Sequence, residues 1–181
     1  MIYTDVMLDL ETLGNKSNSA LLSIGAVEFN LETGELGRQF YKVIDLQSCL
    51  DLGLKINAST FYWWLQQNQQ ARDAVCVEEK LTLPIVLNDF THWLNDCIKD
   101  ITIWGNGVRF DVGILEDAYV ACGYQNMPWS FRYERDVRTL VAFAPEIKAN
   151  LPFTGTLHNP IDDCKYQIQY CTEIWKKLNK K

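Results

Sequence analysis

Asp9 and Glu11 stand two residues apart in "VMLDLETLG" (6–14), among large apolar side chains and just ahead of a glycine. In an extended strand, residues two apart point to the same side, so both carboxylates share one face while Leu8 and Leu10 anchor the other. Adjacent anions repel, and the simplest remedy is a shared hard cation with oxygen ligands, Mg²⁺ or Mn²⁺. Two further fragments carry similar chemistry. In "NGVRFDVGIL", Asp111 follows Phe110 at the start of an apolar helix, and in "HNPIDDC", His158 precedes Asp163 by five residues. Taken singly, each has a plainer use: a D-x-E tripeptide as a solvated edge or salt-bridge partner, Asp111 as a helix cap, His158 as a surface residue.

The elements that must position these groups follow from periodicity. "YTDVMLDL", "ALLSIGAVEF" and "GRQFYKVI" alternate or run apolar between turn residues, which predicts an antiparallel meander over the first 44 residues. "STFYWWLQQNQQARDAV" and "LPIVLNDFTHWLNDCIK" carry helical spacing, with Ser59 and Pro84 where helix starts are expected. "ITIW" (101–104) reads as a fourth strand, "GNGVRFDVGILEDAYVACG" as a glycine turn feeding a helix, and "RYERDVRTL" as a short strand or turn. Ile161, Cys164, Ile168, Cys171, Trp175 and Leu178 recur at three- and four-residue steps, giving one long amphipathic helix that Pro160 starts and "KKLNKK" ends. Asp163 then lies in its first turn and His158 in the loop before it. Strands first, then strand and helix alternating, predict an α/β mixed sheet, an antiparallel meander plus parallel strands, flanked by helices.

With 181 residues and no visible linker, the chain is expected to form a single domain over 1–181. A net charge of −6 lacks the basic footprint of a protein that grips long nucleic acid by counterion release. It leaves room for an enzyme that meets a strand end through bound cations. The six cysteines show no C-x-x-C spacing and read as reduced core thiols, and two histidines are few for a zinc site. The acidic N-terminus has no signal-peptide pattern and no run reaches membrane-spanning length, so a cytoplasmic protein without membrane contact is expected. "GNGVRF" misses the dinucleotide fingerprint because Phe110 occupies the third glycine position.

The order D-x-E, then F-D, then H-x-x-x-x-D resembles the DEDDh branch of the DnaQ-like 3′→5′ exonucleases, which have a ribonuclease H-like fold. The four acids match Asp9, Glu11, Asp111 and Asp163, and the histidine matches His158. "STFYWWLQQNQQAR" (59–72) is similar to the S-T-x-x-W-W-x-x-Q-x-x-x-A-R segment of the phage exonuclease DexA and of exonuclease VIII-like and mycobacterial exoribonuclease-like domains. Pro160 and Cys164 depart from the small alanines more usual in the third motif.

The resemblance implies two Mg²⁺ or Mn²⁺ ions, with Asp9 bridging them, Glu11 and Asp163 completing one and Asp111 holding the other through water. His158 would be the general base. The backbone of Thr12, Leu13 and Gly14 would approach the terminal nucleotide, Gly14 by its small size, and Trp64 or Phe110 would stack on a base. The implied substrate is a single-stranded 3′ end, DNA placed ahead of RNA, with release of nucleoside 5′-monophosphates; a homodimer stays open. An exoribonuclease of the same mechanism, a non-catalytic nucleic-acid-binding module that kept the fold, and a phosphohydrolase of small nucleotides are the alternatives.

Overall fold

The computed structural model describes residues 3–96 and 100–180. A five-stranded sheet runs in the order β3-β2-β1-β4-β5. Its strands β1 (Asp5–Thr12), β2 (Leu21–Phe29) and β3 (Leu36–Val43) form the antiparallel meander expected from the alternating apolar residues. β4 (Thr102–Gly105) pairs parallel to β1, and β5 (Glu134–Asp136) parallel to β4. Parallel neighbours require crossovers. These pass through α1 (Leu46–Asp51), α2 (Ala58–Leu65), α3 (Gln69–Val75) and α4 (Leu83–Asn95) before β4, and through α5 (Val108–Ala121) before β5. α6 (Val137–Val141), α7 (Pro145–Asn150) and α8 (Pro160–Asn179) complete the described chain.

The central strand is covered on both faces. Val6, Leu8 and Leu10 join Leu87 and Phe90 of α4 and Leu115 of α5, whereas Met7 joins Ile168 and Cys171 of α8. Each such side chain contributes about 1.5–3 kcal/mol when fully buried, so β1 is anchored firmly enough to carry unfavourable acids. The strand period puts Asp9 and Glu11 on the face of Met7, towards α8. Directly across the ladder from Asp9 stands Gly25, where an added Cβ would lie 2.3 Å from the Cβ of Pro160. The missing side chain lets the N-terminus of α8 close onto the sheet beside Asp9. The third-motif departures are thereby accommodated: Pro160 fills that contact, and the Cys164 thiol donates to the Met7 carbonyl at 3.4 Å.

Several local expectations need correction. "STFYWWLQQNQQARDAV" is two helices, because the Asn68 side chain accepts from the Ala71 N–H and starts α3 afresh. Asn57, not Ser59, caps α2, accepting from the Ser59 and Thr60 amides. The short α1 and α7 carry too few residues for a legible period. Cys49, Cys164 and Cys171 are buried free thiols as expected, but Cys122 is half-buried and Cys76, at the end of α3, is exposed. Cys97 lies outside the described residues. No helix among those described is long and apolar enough to cross a membrane.

Candidate active site

β4 stops at Gly105, paired with Leu8, and this leaves the amide of Leu10 without a sheet partner on that side. Asp111 takes it: the Leu10 N–H donates to Asp111 Oδ1 at 3.3 Å. Gly105 permits the approach, since a Cβ there would stand 3.1 Å from that of Asp111. α5 is preceded by Gly107, whose φ of +101° suits glycine, and its first free amide, Val108 N–H, is capped by Asp136 at 2.7 Å. Asp111 is therefore turned inward to the end of β1 rather than capping its own helix. At the start of α8, Asn159 caps the amides of Ile161 and Asp162, and Asp163 in the first turn accepts the His158 backbone N–H.

These elements bring Asp9, Glu11, Asp111, His158 and Asp163 to one cleft of about 440 Å³ at the carboxyl end of β1. Glu11 and Asp111 are buried, Asp9 and Asp163 half-buried. Glu11, His158 and Asp163 offer ligand atoms that all lie within 4.8 Å of one another. Burial holds the Asp9 carboxyl far above the usual range, aided by the charges of Asp111 and Asp163, while a 2.9 Å hydrogen bond from Gln167 Nε2 opposes the rise. Glu11 is raised well above its ordinary value by burial and then by the Asp9 charge. Burial pushes Asp111 up to about 7 against the amides of Leu10 and Asn106 and the nearby Arg138, and Asp163 up to about 6. Among the described residues, no salt bridge reaches any of the four acids. A set of crowded, unpaired carboxylates with an imidazole beside it is the donor set of hard, oxygen-seeking divalent cations. The residues fit that cofactor.

His158 has φ of +62°, a left-handed conformation uncommon for residues with a side chain. Its ring meets that of Trp63 edge-on, centroids 4.9 Å apart, and burial lowers its proton affinity. Burial thus favours the neutral imidazole, the form that can accept a proton.

Of the expected substrate contacts, Thr12, Gly14, Trp64 and Phe110 line the cleft. Leu13 does not: its side chain is buried with Trp64, Ala71 and Val75, and its N–H and C=O are bonded to Ala20 and Asn57. Gly14 packs against Ser19, whose Oγ would lie 2.4 Å from an added Cβ, so the fold itself requires a glycine there. Trp64 is only 5% exposed and its Nε1 donates to the Thr12 carbonyl at 2.9 Å, so it braces the strand end. The exposed aromatic of the cleft is its neighbour Trp63, at 41%. Gln167 and Arg138, which sequence reasoning missed, also line it; Gln167 lies one turn beyond Asp163 on the same helix face, the signal that could have found it.

The family model described as the 3′-5′ exoribonuclease Rv2179c-like domain matches residues 4–175. No curated protein matches the chain. Among solved structures, the nuclease domain of 3′hExo, a DEDDh family member bound to rAMP, superposes with a TM-score of 0.65 at 13% identity, covering 97% of this chain and 93% of that one. A 3′-exonuclease in 3′-end specific recognition of histone mRNA stem-loop gives 0.67 at 11% identity, covering 98% and 84%. E. coli exonuclease I in complex with a dA16 oligonucleotide gives 0.68 at 15% identity; the match covers 93% of this chain but 40% of that one. At such identities the likeness establishes the fold, the ribonuclease H-like mixed sheet flanked by helices.

Proposed function

From the premise that the chain belongs to the Rv2179c-like 3′-5′ exoribonuclease domain family, we propose that its cleft shortens single-stranded RNA from the 3′ end, releasing nucleoside 5′-monophosphates. The convergence of Asp9, Glu11, Asp111 and Asp163 with His158 in one cleft supports this reading. The fold does not choose the sugar, since its neighbours include complexes with RNA and with DNA; the family's description, which names RNA, supports ribose.

The four acids would hold two divalent cations, Mg²⁺ or Mn²⁺. When bound, such ions neutralise the phosphate and activate water near neutral pH. His158 accepts the proton of the attacking water through its neutral imidazole, and the ring contact with Trp63 limits how far that imidazole can swing. Attack breaks the bond between phosphorus and the 3′ oxygen, so the phosphate leaves on the 5′ side of the released nucleotide and the shortened strand keeps a 3′ hydroxyl. Gln167 holds the Asp9 carboxylate in place, and Trp64 holds the turn after β1. Trp63 presents the aromatic face on which the terminal base stacks, a contact indifferent to base identity.

The test uses 5′-labelled RNA and DNA of equal sequence with Mg²⁺, Mn²⁺ or chelator. A ladder that shortens from the 3′ end only with metal, and faster for RNA, is expected. Shortening in chelator, or cleavage of mononucleotide esters alone, would overturn the proposal; faster loss of DNA would overturn the choice of sugar.

A further inference from the structure

Arg138 is the one arginine or lysine that lines the catalytic cleft among the described residues. It projects from α6 at the exposed rim, with its guanidinium against the left-handed turn at Gly107, where a Cβ would come to 3.1 Å of the guanidinium carbon. Its Nε reaches Asn106 Oδ1 at 3.4 Å, a long contact for a group with five donors. Asp136, the acid nearest in sequence, is already engaged: Oδ2 accepts the Val108 N–H and Oδ1 the Thr139 N–H, both at 2.7 Å. No salt bridge joins Arg138 to any acid among the described residues. An exposed cation, close enough to temper the charges of Asp111 and Asp136 but paired with neither, therefore stands at the mouth of a strongly anionic cleft on a chain whose net charge is −6.

The charge arithmetic of the proposed substrate needs such a group. The scissile phosphate would be matched by the cations that the acids would hold, but a strand carries a second phosphate on the 5′ side of that bond. We propose that Arg138 binds this upstream phosphate and so makes the site hold a strand more tightly than its terminal nucleotide alone. The inference rests on the exonuclease reading above. A guanidinium suits the task because it presents paired N–H groups to two phosphate oxygens and stays charged at every working pH.

Binding and turnover of a short 5′-fluorescein-labelled single-stranded RNA decide the matter, by anisotropy with Ca²⁺ and by initial rates with Mn²⁺. The proteins compared are wild type, Arg138→Ala, Arg138→Lys and Arg109→Ala, the last an exposed arginine of α5 outside the cleft. Arg138→Ala is expected to raise both Kd and KM about tenfold with kcat little changed, as for loss of a charge-assisted contact. Its plot of log Kd against log salt should be shallower by about 0.7, the value for one phosphate contact on a single strand. Arg138→Lys should recover part of the loss, and Arg109→Ala should resemble wild type. A fall in kcat at unchanged KM would mean that Arg138 acts by holding Asp111 or the Gly107 turn, and equal losses in Arg109→Ala would mean a diffuse charge effect; either overturns the inference. Wild-type degradation with an unaltered Arg138→Ala would sink the contact and leave the exonuclease reading intact. Binding that weakens in Arg138→Ala without turnover in any protein would keep the contact and sink that reading. Neither binding nor turnover in wild type would sink both.

Discussion

Removing the charge at position 111 should make the metal-free protein more stable. Asp111 is buried, and its carboxyl is raised from 3.8 to about 7. At about 1.4 kcal/mol per tenfold change in proton affinity, keeping it ionised costs the fold at most about 4 kcal/mol. The native state binds its proton more tightly than the unfolded chain does, so stability falls as pH rises through the window from about 4 to about 7 and is level above it. Asparagine has nearly the same shape, and its Oδ1 can still accept from the Leu10 amide, so Asp111→Asn removes charge without opening a cavity. In chelator at about pH 8, thermal unfolding followed by circular dichroism should rise by up to about 8 °C, taking about 2 °C per kcal/mol for a chain of this size. As the pH falls towards about 4 the carboxyl becomes protonated in the unfolded chain as well as in the native one, and the two curves should draw together. Saturating Mn²⁺ should reverse the order, because the cations stabilise the protein that holds them better. A lower melting temperature for Asp111→Asn in chelator at the higher pH would show that Asp111 is a stabilising structural anion and refute the argument.

His158→Ala should lower kcat by about a hundredfold or more, as for loss of a general base, and leave the Mn²⁺ affinity read by calorimetry within about threefold; a matching fall in affinity would make the imidazole a ligand, as its nearness to Glu11 and Asp163 permits. Trp63→Ala should weaken RNA binding by about 1–3 kcal/mol with little change in melting temperature, whereas Trp64→Phe, which loses the bond to Thr12, should cost about 1 kcal/mol of stability in a urea titration. Gly25→Ala forces Pro160 away from the sheet, so kcat should fall more steeply than stability, by about 1–3 kcal/mol in the latter. Unchanged turnover in that variant would mean that the seat of α8 does not govern the acids.

The central acids were legible because strand periodicity and the types of neighbouring residue act over a few positions. Asp9 and Glu11 share a face for the same reason that Val6, Leu8 and Leu10 share the other. Asp163 in the first turn of α8 followed from Pro160 and the apolar steps beyond it. What depends on partners distant in the chain was not legible. Asp111 stands where a cap of α5 is expected, but the cap comes from Asp136 and frees Asp111 for the Leu10 amide. Trp63 and Trp64 are adjacent and identical in type, and only the packing of α2 against the end of β1 buries one and exposes the other. The packing of Gly14 against Ser19 depends on the turn between them and has no local signature. Arg138 carried no local pattern, since its place in the cleft is set by β5 pairing with β4.

The carboxylate of Asp163 faces two ways. It belongs to the proposed cation seat, and it also accepts the backbone N–H of His158, where the chain takes its left-handed step. The segment that bears the imidazole is thus tethered by the very side chain that the ion would pull upon. Under the proposed mechanism, seating the ion and aiming the base would be one mechanical event, and loosening either end of the tether would be felt at the other.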